Sequence, residues 1–423
     1  MRSILGLIIL LSFASTAQGT FTAPDYYRTP LFFGKTDPVC PWQFKVETAA
    51  YGGSSDEGFN GCGKKVPLLD IFGLENIKDL AEGVPDSILA QSSSTFLNTL
   101  YTQDTGPNFG KGFWSGSIEN FEWDITLLQN FDKGFFLELF IPYRSIELSN
   151  VVFHDLSTEN NSDTVDFAEW ETFVKSLSGN LDEYGLKVGP TDTSGIGDIV
   201  LLLGWSFCFF DSCMLEKWKV NAIETTLKFG PLFSSSNTVP SNRVFGLSRG
   251  YNGHKGFPLI FNGTIYFRKW ISFGAHISGI FFSSRNRRIG MKTASTQNGW
   301  IKLAHGKTQI DRGPIWTFGS YMQTNIYQGF SFLFGASFTQ EEETILTPCN
   351  TDVFNYKTTN KDSRLESWEF GMFHFQLEYD FTSTKNPNAP YIHCFASVPF
   401  HGKRVFDTML FGGTFGINCA WKF

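Results

Sequence analysis

The last thirteen residues, Phe411 to Phe423, alternate between bulky apolar and small or polar side chains until the chain stops. Phe411, Phe415, Ile417, Cys419, Trp421 and Phe423 fall on one face of an extended strand. Gly412, Thr414, Gly416, Asn418, Ala420 and Lys422 fall on the other. A strand of a soluble sandwich alternates too, but it rarely carries its largest groups outward to the carboxyl terminus. The same period of two recurs upstream. In 257–268, Leu259, Phe261, Ile265 and Phe267 oppose Asn262, Thr264, Tyr266 and Arg268. In 326–339, Phe330, Phe332, Phe334 and Phe338 oppose Ser331, Gly335, Ser337 and Thr339, and 366–381 repeats the pattern from Phe373 to Phe381.

The amino terminus is an export signal. Arg2 precedes the apolar stretch Ile4 to Phe13 and the small residues Ala14 to Gly19, the order of a secretory signal peptide over residues 1–19. Cleavage after Ala17 and cleavage after Gly19 both fit. The longest later apolar run, Ile199 to Phe210, falls well short of the roughly 20 residues that a spanning helix needs. Lipid leaves one other spanning architecture, a closed barrel whose backbone groups all pair. Composition agrees: 46 Phe and 41 Gly with only 18% charged residues suit strands that face lipid on one side and a lumen on the other. Loss of Arg2 takes the formal net charge from −7 to about −8, which argues against nucleic acid as a partner.

The fold class expected is all-β, a transmembrane antiparallel β-barrel of about 12 strands within a range of 10–14, its long extracellular loops carrying short helices. The strands lie near 42–51, 117–129, 133–144, 196–210, 217–229, 257–268, 270–284, 309–322, 326–339, 366–381, 389–400 and 407–423. In 217–229 the parity changes, and a bulge near Ala222 reconciles its two halves. Short and long connections alternate up to the last hairpin, which places both termini in the periplasm. Residues 20–41 then form a periplasmic N-terminal segment and 42–423 the barrel, with long loops at 52–116 and 145–195. Trp218, Trp270 and Trp421 fall at periplasmic strand ends, where an interfacial aromatic girdle belongs. Apolar residues recur at helical spacing in 163–185 and in Val66 to Gly83, marking elements that fold into the pore or cap it.

Chemistry-bearing residues concentrate on the inward parity. Glu122, Asp124, Glu138, Asp198, Glu224, Asp311, Glu378 and Asp380 outnumber Arg144, Lys228 and Arg268 there. An acidic, water-filled lumen leans toward cations. His374, Gln376, Glu378 and His393 share the inner face of one hairpin, a set that fits hydrogen bonding across a wet lumen better than a metal site. The seven cysteines meet an oxidising compartment, where Cys40 with Cys62 and Cys208 with Cys213 are near in sequence; spacing leaves the connectivity open, and none has zinc-site spacing.

Resemblance adds to this reading. The terminal strand ending in Trp421 and Phe423 resembles the signal strand of Gram-negative outer-membrane β-barrels, which the barrel assembly machinery reads. Nearly the whole mature chain is similar to barrels of the porin and FadL-like transporter kind. Gly195-Ile196-Gly197-Asp198, leading into an apolar strand, resembles the strand start of the FadL-like and phenol-pathway group, although no plug-like hatch is evident in 20–41. His276-Ile277-Ser278 with Asn286 resembles the His-x-Ser arrangement of outer-membrane phospholipase, but His276 and Ser278 have lumen parity and the spacing to Asn286 departs from that family. The resemblance implies an outer-membrane, porin-like passive channel for small solutes, needing no cofactor and catalysing nothing, with membrane lipid and the assembly machinery as partners. Trimers are common among general porins, and no residue here marks such an interface. The alternatives are a surface barrel that works as a structural or adhesion protein through its loops, and a FadL-like transporter of hydrophobic compounds.

Overall fold

The computed structural model describes residues 42–80, 109–157, 167–210, 219–267, 270–327, 329–381 and 388–420. The expected signal segment 1–19, residues 20–41, Cys40, Cys213, Trp218, Arg268, Trp421 and Phe423 lie outside the described residues.

Twelve strands close into an antiparallel barrel. They are β1 (Gln43–Ser55), β2 (Lys111–Asn130), β3 (Phe135–Asp155), β4 (Ile199–Phe210), β5 (Val220–Phe229), β6 (Gly256–Phe267), β7 (Ile271–Phe282), β8 (Ile315–Tyr327), β9 (Phe330–Glu341), β10 (Trp368–Asp380), β11 (Pro390–Lys403) and β12 (Leu410–Ala420). Each pairs with the next in sequence, and β12 returns to β1 in a register running from Gln43 opposite Ala420 to Gly52 opposite Phe411. Full closure leaves neither first nor last strand with an open edge.

Why the sequence closes this way is visible in its burial, which is inverted relative to a soluble protein. On β2, Phe121 and Trp123 are 49% and 46% exposed, while the intervening Glu122 and Asp124 are 4% and 6%. The outer surface is built of Phe, Leu, Ile and Trp, and the inner one carries most of the charge. Only a lipid surround makes that arrangement favourable. Trp42, Trp205 and Trp270 stand on the outside near the turn end of the barrel. The Trp205 indole donates to the carbonyl of Lys133 in the β2–β3 turn at 3.2 Å. Trp270 is thus where the sequence puts it, and Trp42 and Trp205 join it. The turn itself needs Gly134 at φ +80°, where a Cβ would strike the Ser206 carbonyl.

Two irregularities shape the wall. The β5–β6 pairing goes from Ala222 opposite Tyr266 to Val220 opposite Phe267, skipping Asn221, the bulge expected near Ala222. The second is a break before β4. A short strand, Thr191–Ile196, pairs with the upper part of β3, and β4 pairs with its lower part. Ile196 is half exposed on the outside and Asp198 is fully buried on the inside, so Gly197 occurs where the parity of the wall changes. The strand expected at 196–210 therefore begins at Ile199.

Among the described residues the loop end carries regular structure. Helices Phe167–Lys175 and Leu177–Glu183 occupy the helical stretch read in 163–185. Residues 66–80 are a correction: they form a short strand, Lys65–Pro67, and two 3-10 turns rather than an α-helix. A separate three-stranded sheet joins Arg285–Gly290, His305–Asp311 and Ile345–Pro348.

Candidate functional site

The inner wall is a layer of paired polar groups. Arg144 on β3 grips Glu122 on β2 with two bonds of 2.7 and 3.1 Å, and its third arm reaches the Arg249 carbonyl at 2.8 Å. Lys228 on β5 donates to Glu138 on β3 at 2.7 Å. Lys45 and Glu47, two apart on the inner face of β1, pair at 2.9 Å, and the Tyr391 hydroxyl donates to Glu47. At the rim, Arg312 holds Glu341 through two bonds of 2.9 and 2.8 Å, while the Trp368 indole donates to the same carboxylate at 2.8 Å. A buried ion in so poor a dielectric is tolerable only when paired and hydrogen-bonded in this way.

Hydroxyls and amides complete the layer. Tyr51 donates to Asp124 at 3.2 Å, and Tyr266 to Glu224 at 2.9 Å. Glu378 accepts from Gln323 at 3.4 Å and lies 3.7 Å from His393, which in turn meets Gln376 at 3.0 Å. His374 is clasped by Ser337 at 2.7 Å and Ser397 at 2.9 Å. His276 and Ser278 share the inner face of β7, as their parity requires, and the His276 ring lies over Gly319 of β8.

Above this layer an apolar core joins inward strand residues such as Trp114, Ile118 and Leu148 with side chains from several loops. Leu68, Leu69 and Ile71 turn inward against β2, where Leu69 meets Gly116. Phe245 and Trp300 from two later loops join them, their ring centroids 5.4 Å apart, and Phe72 lies 4.7 Å from Trp300. Trp300 is the keystone, being 6% exposed with its indole donating to the Leu69 carbonyl at 2.5 Å. Its backbone amide donates to Glu75, as does that of Ile301.

Burial pushes the Glu75 carboxyl up to about 7, against the pull of Lys302 and of those amides. Burial likewise pulls the Lys302 ammonium down to about 8, against the attraction of Asp362. Asp362 lies 4.0 Å from Lys302 and 2.7 Å from Arg364. Burial alone raises its pKa, but Arg364 and Lys302 outweigh that and hold it at about 2. Arg364 also donates to the Trp300 carbonyl at 3.1 Å, so the loop after β9 ties in as well.

The sequence-based site residues divide accordingly. Glu122, Asp124, Glu138, His276, His374, Glu378 and His393 lie on the inner wall. Arg268 is outside the described residues. Two placements are corrected. Asp311 ends a strand of the separate sheet and bonds Gln309 at 3.1 Å, because β8 starts only at Ile315. Asp198 faces inward but lines no open passage: it is fully buried at the wall break, accepting from the amides of Ser236 at 2.9 Å and Tyr251 at 2.6 Å. It thereby pins the segment 236–251 against the wall, with Ser235 Oγ donating to the Gly197 carbonyl at 2.7 Å.

Lys45, Glu47, Arg312, Glu341 and Glu75 add to the residues expected from sequence. The first two were legible from the alternation of β1. The others depend on loop contacts with no local signal. Among the described residues no group of three or more metal-ligating side chains is assembled.

No protein-family model matches the chain, and no curated protein sequence matches it. Solved barrels overlap it loosely. An outer-membrane channel from Pseudomonas putida F1 covers 94% of this chain and 100% of its own, with TM-score 0.47 and 10% identity. A FadL homologue from Pseudomonas aeruginosa covers 96% and 99%, with TM-score 0.32 and 10% identity. The NanC porin covers 72% and 94%, with TM-score 0.30 and 10% identity. Overlaps this loose leave function to be argued from the chain's own side chains. Closed strand pairing, an apolar exterior and a polar interior make it a transmembrane β-barrel.

Proposed function

We propose that the chain is an outer-membrane channel for small solutes whose outward mouth is closed by its own loops. The supporting observation is the layering of the lumen, a hydrogen-bonded polar wall beneath an apolar core in which loop residues pack against inward strand residues such as Trp114 and Ile118. The loop share of that core can be displaced without breaking the barrel, because no barrel strand supplies Trp300, Phe245 or Leu69. The wall's charges are largely answered within it. Glu47, Glu122, Glu138 and Glu341 each have a cation at 2.7–2.9 Å, so ion discrimination is weak and the preference for cations slight. Small uncharged or weakly charged solutes fit that wall best.

The second reading is a sealed barrel serving the cell surface through its loops, and it is favoured by the dense packing of the mouth. Current across a planar bilayer holding the refolded protein separates the two. Discrete steps with a reversal potential close to zero under unequal salt support the channel. Silence from inserted protein, persisting after Trp300→Ala, supports the sealed barrel.

A further inference from the structure

The three-stranded sheet at the loop end has faces of opposite character. Ile289, Ile310 and Leu346 turn toward a small core with Met291, Phe354 and Leu365. The other face carries Asn286 and Arg288 on one strand, opposite Gln309 and Lys307 on the next, all exposed. Arg288 and Lys307 are direct cross-strand partners. Like charges in that position repel, and among the described residues neither has an ion-pair partner. Asp311, further along the same face, accepts from Gln309 at 3.1 Å.

Positive charge also accumulates behind the sheet. Arg285 and Arg287 donate to the carbonyl and side chain of Asn252 at 2.6 and 2.8 Å. The two strands carry Arg285, Arg287, Arg288 and Lys307 against Asp311, a balance of +3 on a chain of net −7. Nearby His254 registers the field: burial first, then Arg312, Arg285 and Arg287, hold its pKa down to about 4.

The position of this sheet indicates what it meets. β7 runs into it through Ser283 and Ser284 alone, and it returns to β8 through Arg312, Gly313 and Pro314. Just below, Phe281 and Trp316 meet edge to face on the outer surface with centroids 5.4 Å apart. The sheet therefore stands on the rim where the lipid-facing surface ends, at the height of headgroups.

We infer that Arg288 and Lys307, flanked by Asn286 and Gln309, form a binding face for the phosphate groups of outer-leaflet glycolipids. This rests on the outer-membrane reading above. Directly opposed side chains start about 5 Å apart, close enough for a guanidinium fork and an ammonium to share one phosphate. The bound dianion removes the repulsion that the two cations otherwise exert on each other. Free phosphate would satisfy the same charges, but the adjoining Phe281 and Trp316 favour a phosphate that arrives on a lipid.

The test uses the full mature chain, folded in detergent micelles, with diphosphorylated lipid A as probe and retention on the immobilised protein as readout. Arg288→Glu with Lys307→Glu alters exposed side chains only, and the gel shift between unheated and boiled samples confirms that the barrel persists. At least tenfold less lipid A retained by the double variant, with dephosphorylated lipid A held equally weakly by both proteins, is the expected result. Equal retention by variant and wild type overturns the proposal, as does displacement by an equal concentration of inorganic phosphate. Fractionation of cells making the wild type tests the underlying reading separately: recovery outside the outer membrane sinks the location, whatever the lipid assay shows.

Discussion

The indole of Trp300 donates to the carbonyl of Leu69 across 231 positions of sequence, at 2.5 Å. One bond thus fastens the loop after β7 to the loop after β1, and the ring beside it fills the space between Phe72 and Phe245. Trp300→Ala removes both. Truncation of a buried Trp costs about 3–5 kcal/mol, and the loss falls on the mouth rather than the wall. Expected is an unchanged gel shift with larger or more frequent current steps than wild type. Fewer or smaller steps than wild type would show that Trp300 does not close the passage.

Glu122 and Arg144 answer each other inside the wall, so deleting one leaves the other charged and buried. Arg144→Met alone should destabilise the barrel by about 3–5 kcal/mol in denaturant titration from micelles. Adding Glu122→Gln should recover most of that. A double variant as unstable as the single one would mean that packing of the Arg144 stem, not charge, is what matters.

Asp362 makes the loop assembly sensitive to acid. Its pKa is about 2 in the fold against an ordinary 3.8. A depressed carboxyl contributes stability that is present above pH 3.8 and is lost as pH falls through about 2. At 1.36 kcal/mol per unit the contribution is about 2 kcal/mol. Protease nicking of the loops should therefore be faster in Asp362→Asn than in wild type at pH 7. The difference should shrink between pH 4 and 2, followed with a protease active in acid. A gap that stays constant down to pH 2 would remove Asp362 as its source.

Asp198 ties two backbone amides with its two oxygens. Asp198→Ala should free the segment 236–251 and expose it to protease while the barrel still shifts on gels. Asp198→Asn keeps one acceptor and should fall between the two. Equal cleavage in all three proteins would show that other contacts hold the segment.

Most of the barrel was legible because lipid enforces a local rule. Along 326–339 each neighbour faces a different solvent, so Phe332 and Ser331 announce their sides without any partner being known. The parity change at Ala222 was legible for the same reason. The mouth obeys no such rule. Leu68, Leu69 and Ile71 have helical spacing, yet the chain around Pro67 pairs with Glu57–Phe59, burying Leu69 against Gly116 and Ile71 against Gly58 instead. Glu75 and Trp300 meet over 225 positions, a contact no window of sequence contains. Asp311 was misplaced because the strand of the separate sheet, His305–Asp311, carries a period of two that reads locally like a barrel strand. The inward carboxylates were found, but a count of charges could not show that Arg144 and Lys228 are already committed to two of them.

The seam between β1 and β12 joins two strands far apart in sequence. Until β12 docks, β1 has one unmatched edge and so does whatever strand was added most recently. A chain cut short anywhere cannot hide either of them. Completion and sealing are therefore one event, and a truncated product advertises itself by two sticky borders. That makes β12 the lock of the ring as well as a piece of wall.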